Sequence, residues 1–320
     1  FLSLFLTACS KNVGNVGNSS NQTKEKPPTT TSQQERLTFK EELADSLLKD
    51  SFELTYPEGV LFTPTKMNNS FVIGESSHVE SSHVESPDQK YLGILNIDSK
   101  EFKKLKDVDR TSALVSIIVS YADSDYILFE EFDQVNLQST YYLWDFAANS
   151  YQLLKHFSDV VHLHYTQVAR VDDAFYINIY AGDRYQTYCY TISSNKMSLF
   201  EPKNSSNPVA VDGHLYYIRI DNENLITSLL SYDLQEATYQ TLSETNQGTE
   251  YFTGLYTNGK DIIVAKNISG LTNLSMLKEN KTEPSFYSSY WIESLEFQNH
   301  YITFIGAKRD EERIKPQYYL

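Results

Sequence analysis

Six times along this chain a short, Tyr-rich apolar segment recurs, usually followed by a polar turn and then an aromatic residue or Leu. The clearest copies are Tyr141-Tyr142-Leu143-Trp144-Asp145-Phe146, followed by Tyr151 and Leu154, and Leu229-Leu230-Ser231-Tyr232-Asp233-Leu234, followed by Tyr239 and Leu242. Leu92–Asp98 precedes Phe102 and Leu105, and Tyr188–Ile192 precedes Met197 and Leu199. Leu274–Lys278 is a fifth copy, and Tyr318-Tyr319-Leu320 is a sixth, cut short. Tyr and β-branched residues at this density favour a pleated, half-buried surface, so each copy reads as a strand.

A second signal keeps the same period. Turn residues lie between two apolar runs at Asn68-Asn69, Asp123-Ser124, Asp172-Asp173, Asp212-Gly213, Asn258-Gly259 and Gln298-Asn299. Asx and Gly tolerate the positive φ of tight hairpins, so each pair links a first strand to a second. The second strands are runs such as Phe71-Val72-Ile73, Tyr126–Phe129, Phe175-Tyr176-Ile177, Leu215-Tyr216-Tyr217, Ile262-Ile263-Val264 and Tyr301–Phe304. The Tyr-rich segment is then the third strand, and the stretches at Phe102, Tyr151, Met197 and Tyr239 are the fourth. An all-strand repeat of roughly 40–50 residues with four antiparallel strands is a propeller blade. The sequence therefore predicts an all-β β-propeller over 51–320 with six visible blades, the last truncated in its third strand. A propeller must remove its open sheet edges. Either Phe52–Tyr56 supplies the missing strand or the chain continues, which sets the intact protein at six to eight blades.

The 320 residues are 40% hydrophobic and 13% aromatic, enough for a large core. A net charge of −15 argues against a phosphate backbone as partner, because that contact needs clustered Lys and Arg. Of the two cysteines, Cys9 stands in the N-terminal region and Cys189 between Tyr188 and Tyr190. Cys189 reads as a small buried apolar residue rather than a redox centre, since no cation adjoins it in sequence.

The N-terminus is an apolar run, Phe1-Leu2-Ser3-Leu4-Phe5-Leu6-Thr7-Ala8, that stops at Cys9. It has the form of a signal-peptide h-region without its start, and it is too short to span a bilayer. Leu6-Thr7-Ala8-Cys9 resembles the lipobox of bacterial lipoproteins. That resemblance implies cleavage before Cys9 and diacylglycerol attached to its sulfur. Residues 1–9 are thus expected to be leader and lipobox. Residues 10–36, rich in Asn, Ser, Thr, Gln and Lys, are expected to form a disordered tether. A short helix is expected within 37–50, over 38–49, where Thr38 and Glu41 make a capping box and Leu43, Leu47 and Leu48 share a face. Over residues 52–320 the chain resembles bacterial propeller lipoproteins in architecture. The Trp144-Asp145 pair is similar to the dipeptide of WD repeats, but it occurs once and lacks a Gly-His partner.

Residues with potential chemistry are few. His162 and His164 alternate along a strand and share a face, so they are the one candidate pair of metal ligands, without a third ligand in view. Glu75-Ser76-Ser77-His78-Val79 is repeated as Glu80-Ser81-Ser82-His83-Val84, expected in a loop between the second and third strands of the first blade. Tyr121, Tyr165 and Tyr256 are candidate aromatic contacts for a glycan at a channel mouth. Glu130-Glu131 and Asp172-Asp173 are adjacent, which does not make the facing carboxylate pair of a glycosidase. No nucleophile elbow, phosphate loop or Cys-rich metal knuckle occurs, and no cofactor is called for.

The expected function follows from these residues. The chain reads as an extracytoplasmic lipoprotein, held to the bacterial membrane through Cys9, whose propeller binds a protein, peptide or glycan. The alternative is an extracytoplasmic hydrolase or lyase with its site in the central channel.

Overall fold

The computed structural model describes residues 5–7, 58–67, 70–78, 90–108, 114–160, 167–181, 184–246, 248–278, 281–287, 290–298, 301–309 and 314–319. The described residues are strands and turns, without a helix. The expected tether, the helix over 38–49 and the Phe52–Tyr56 strand lie outside them. Two compact units are present, Ser51–Gly248 and a second that joins Phe1–Asp50 to Thr249–Leu320.

The unit Ser51–Gly248 consists of four consecutive antiparallel sheets, each with its strands in chain order. The first holds β2 (Val60–Met67), β3 (Phe71–His78), β4 (Lys90–Asn96) and β5 (Phe102–Asp107). The second holds β6 (Val115–Ala122), β7 (Tyr126–Asp133), β8 (Gln138–Asp145) and β9 (Ser150–Phe157). The third holds β10 (Val168–Val171), β11 (Ala174–Ala181), β12 (Arg184–Thr191) and β13 (Lys196–Glu201). The fourth holds β14 (Ser205–Val211), β15 (His214–Asp221), β16 (Ile226–Asp233) and β17 (Thr238–Asn246).

The second unit repeats the pattern with β18 (Glu250–Thr257), β19 (Ile262–Ile268), β20 (Leu271–Lys278) and β21 (Lys281–Tyr287). Its last sheet pairs β22 (Tyr290–Gln298) with β23 (Tyr301–Arg309), and β23 also pairs with β24 (Ile314–Tyr319) and with β1 (Phe5–Thr7). The pairs Asp123-Ser124, Asp172-Asp173, Asp212-Gly213 and Asn258-Gly259 fall at first-to-second turns, whereas Asn68, Asn69 and Asn299 lie outside the described residues. The described residues of the Tyr-rich segments fall in or at the end of third strands.

Local chemistry explains the turns. Asp133 and Asp221 end second strands, and each Oδ1 accepts the amides two and three residues on. Asp233 and Asn96 do the same at the ends of third strands. This Asx device replaces ladder bonds that a strand end cannot make. The last turn residue then takes a left-handed φ, at Lys100, Leu137, Asn149, Asn195, Leu225 and Ala237. A bulge breaks the third-to-fourth ladder in each of the first five sheets, and such bulges increase local twist.

Twisted sheets that stack face to face bury both surfaces of their middle strands. In β7, Ile127 and Phe129 pack with Ile73, Leu92 and Ile94 of the first sheet. Leu128, between them, packs with Phe175, Ile177 and Tyr190 of the third. The period-2 alternation of a strand thus serves two neighbours rather than a core and solvent. Leu215, Tyr217 and Leu230 pack likewise against Ala169 and Tyr176 of the third sheet. Tyr91, Tyr141, Tyr190 and Tyr217 are among the largest fully buried side chains. Most of the Tyr signal is therefore packing.

The duplicated segment behaves differently from expectation. Its first copy, Glu75–His78, is the end of strand β3 rather than a loop, and the second copy lies outside the described residues. Ser76 is buried and Glu75 is bonded to the next sheet, so these residues are structural.

Candidate functional site

Within Ser51–Gly248, charged side chains collect where one sheet meets the next. The richest cluster joins the second and third sheets. Tyr121 is the next-to-last residue of β6, Asp123–Asp125 forms the turn, and Tyr126 begins β7. Asp123 Oδ1 accepts the amides of Asp125 and Tyr126, both at 2.8 Å, which fixes the carboxylate on the turn. On β10, Ala169 faces the fourth sheet while Val168 packs toward the second. Alternation therefore sends Arg170 back toward the second sheet.

There the Arg170 guanidinium bonds Asp123 Oδ2 and lies 3.1 Å from Asp125 Oδ2. It stacks 4.8 Å from the ring centre of Tyr126 and 5.9 Å from that of Phe175. The Tyr121 hydroxyl donates to Asp123 Oδ2 at 2.7 Å. Burial works against the Asp123 charge, but Tyr121, the two turn amides and Arg170 together hold its pKa below the ordinary carboxylate value. Burial and the Asp123 hydrogen bond push the Tyr121 phenol far up, and the two carboxylates outweigh burial to raise Arg170. All three groups keep one protonation state near neutral pH, so none is poised as an acid or a base.

Beside them, burial and the Asp173 charge push Tyr190 up to about 12. Its hydroxyl donates to Asn195 Oδ1 at 3.1 Å and accepts from Gln152. Carboxylate, guanidinium, amide and aromatic faces are the groups that recognise hydroxyls and peptide bonds. Asp125, with its side chain 58% exposed, is the open member.

The other junctions use comparable parts. Glu75 Oε2 accepts the Ile117 amide at 2.8 Å, Lys90 donates to the Val115 carbonyl at 2.9 Å, and the two side chains are 3.0 Å apart. This pair covers the edge of β6 that faces away from β7. Asn178 does the same for β14, donating to the Ser205 carbonyl at 2.8 Å, with Thr187 3.0 Å from the Ser205 hydroxyl. Glu201 accepts from Arg219 at 2.5 Å and from the Tyr217 hydroxyl at 3.1 Å. Lys106 pairs with Glu131, so this half of the Glu130-Glu131 pair has a structural partner. Glu130 itself is fully buried.

The candidates read from the sequence separate here. Tyr121 belongs to the Arg170 cluster. Tyr256 lies on β18, half-buried, its ring against Gly254. Tyr165, His162 and His164 lie outside the described residues, as do Ala8 and Cys9, whereas Leu6 and Thr7 are in β1. Cys189 is a free thiol, half-buried rather than fully buried, packed against the cluster that holds Tyr176; burial raises its pKa. Trp144 is buried between the first two sheets. Among the described residues no group of three or more His, Cys, Asp or Glu is placed to hold a metal ion. Among them, too, no helix is long and apolar enough to cross a membrane. Arg170, Lys90 and Lys106 were not singled out from the sequence. A usable signal was the polar residue five places into successive second strands, Glu75, Glu130 and Asn178, where an apolar residue would otherwise alternate.

No protein-family profile and no curated protein matches the chain. Solved structures do. The β-propeller domain of the trilobed protease from Pyrococcus furiosus is 10% identical, with a TM-score of 0.57 over 82% of this chain and 85% of that one. A prolyl endopeptidase is 11% identical with a TM-score of 0.55 over 78% of this chain. An acylaminoacyl peptidase in complex with Z-Gly-Gly-Phe-chloromethyl ketone is 9% identical with a TM-score of 0.54 over 81% of this chain. This chain spans 40% and 44% of those two peptidase chains. The likeness is one of fold: the chain is a β-propeller, and its four-stranded sheets are blades.

Proposed function

We propose that this chain is an extracytoplasmic lipoprotein, anchored through Cys9, whose propeller binds a protein, peptide or glycan. The observation that carries the binding role is the Tyr121–Asp123–Arg170–Asp125 cluster. Its charges are fixed by hydrogen bonds on two neighbouring blades, and its open edge offers Asp125 and aromatic faces. Pre-positioned polar groups of settled protonation support recognition better than turnover. The braces at the other junctions support the same reading, because they hold the scaffold still while the turns remain free to vary.

Anchoring is supported by the lipobox resemblance of Leu6-Thr7-Ala8-Cys9 at the end of an apolar run. Screening the chain from residue 10 onward on glycan and peptide arrays tests the binding role. A ligand class whose binding falls at least about tenfold in Asp125→Ala and Tyr126→Ala is expected. Binding unchanged by both substitutions moves the site elsewhere, and hydrolysis of the arrayed compounds overturns the reading.

A further inference from the structure

We infer that the outer strand β17 (Thr238–Asn246) accepts a partner strand, and that the partner it fits is an extended, uncharged protein segment bounded by Lys or Arg. A fourth strand ends each blade, and an end strand presents a row of amide and carbonyl groups that can template another chain. Proteins blunt such edges with Lys, with proline or by keeping them short. β5 carries Lys103, Lys104 and Lys106, β9 carries Lys155, β13 carries Lys196, and β21 carries Lys281 and Pro284. β17 reads Thr-Tyr-Gln-Thr-Leu-Ser-Glu-Thr-Asn, without Lys, Arg or Pro, and at 9 residues it is the longest of these strands. A bulge in the ladder is common to them all, so what β17 lacks is the side-chain guard.

Among the described residues β17 pairs with β16 alone, from Thr238 opposite Asp233 to Asn246 opposite Ile226. Thr238, Tyr239, Gln240 and Thr241 are all exposed, so side chains on both faces of this half of the strand reach solvent. Thr and Tyr also suit a pleated, paired surface. The charges decide the occupant. Residues 238–243 are uncharged, with Glu236 exposed before them and Glu244 exposed after them. A partner with Lys or Arg at both ends of about six uncharged residues sets a cation beside each carboxylate. A second copy of this chain is disfavoured. Pairing Thr238 with the other copy's Ser243 brings Glu244 beside the other copy's Glu236, and each chain carries a net charge of −15. Main-chain bonds then supply the attraction, and the flanking charges select the partner.

Amide hydrogen exchange of the full chain with a synthetic peptide, KTVTVTVK blocked at both termini, tests this. At saturating peptide the outward amides among residues 238–243 are expected to exchange at least about fivefold more slowly. The peptide ETVTVTVE binds at least about threefold more weakly, because its ends face Glu236 and Glu244 with like charge. KTVPPTVK gives no slowing, since adjacent prolines remove ladder donors of either face. Gln240→Lys with Thr241→Lys, both at exposed positions, installs the guard of the other outer strands and abolishes the slowing at an unchanged thermal midpoint. Outward amides already slow in the free chain, no slowing by KTVTVTVK, or equal slowing by the proline peptide overturns the inference. Slowing that grows with protein concentration alone overturns it in favour of a second copy. Asp125→Ala leaves the slowing intact; its loss in that variant would place the peptide at the Arg170 cluster instead, so this test and that of the proposed binding role read separately.

Discussion

The Lys106 ammonium stands 2.5 Å from Oε1 of Glu131, with the two side chains 1% and 4% exposed, and so ties the last strand of one blade to the second strand of the next. The same ammonium lies 4.4 Å from the ring centre of Tyr142 and 5.1 Å from that of Tyr151. Removing one member of such a buried pair strands the other charge, at a typical cost of about 3–5 kcal/mol, while replacing both removes the desolvation burden as well. Lys106→Met is therefore expected to lower stability by about 3 kcal/mol or more, and Lys106→Met with Glu131→Leu to recover most of it. Urea denaturation of the two variants and Glu131→Leu closes the cycle. Additive losses would show that the two side chains do not act as a pair.

Acid should act through Asp123. Its folded pKa lies below the ordinary 3.8, so its contribution is complete above that value and is lost as pH falls through the folded one. Asp123→Asn lacks this titration. The stability gap between wild type and Asp123→Asn is expected to narrow between about pH 5 and about pH 2.5. A gap that stays constant in urea midpoints across that range would remove Asp123 from the acid response.

Leu225 is 52% exposed and holds a φ of 54°, a conformation that Asn adopts more easily than Leu. Leu225→Asn is expected to raise stability by up to about 1 kcal/mol, read from the thermal midpoint. A lower midpoint would mean that the leucine side chain makes a contact worth more than the backbone strain.

A Cβ added at Gly74 would overlap the backbone of Thr63 and Pro64, at the point where the β2–β3 ladder shifts register. Neither neighbour can rotate out of the way. Gly74→Ala is expected to cost about 1–3 kcal/mol, and near-wild-type denaturation would show that the bulge can relax.

Cys9→Ala should move the protein from the membrane fraction to the soluble fraction or leave it with its leader uncleaved. Mass spectrometry separates the two outcomes. A processed, membrane-bound Cys9→Ala protein would contradict anchoring through this residue.

The turns and third strands were legible because their causes are local. An Asp or Asn at a strand end bonds amides two and three residues away, and alternation is a property of the strand itself. The first copy of the Glu75–His78 duplication was misread as loop for a related reason. Its polar residues break the alternation, and only the neighbouring blade explains why. Glu75 is needed where β6 presents an amide with no strand partner.

What the sequence determined by itself is the blade: four strands, the Asx turns between them, and a repeat that makes the chain all-β. What only the tertiary structure decided is the use of the charges. Lys106 and Glu131 are 25 positions apart, and Arg170 and Asp123 are 47 apart, with a blade boundary between each pair. Their meeting depends on how twisted sheets stack, a relation that no local spacing encodes, and the Arg170 cluster exists only once that stacking is in place.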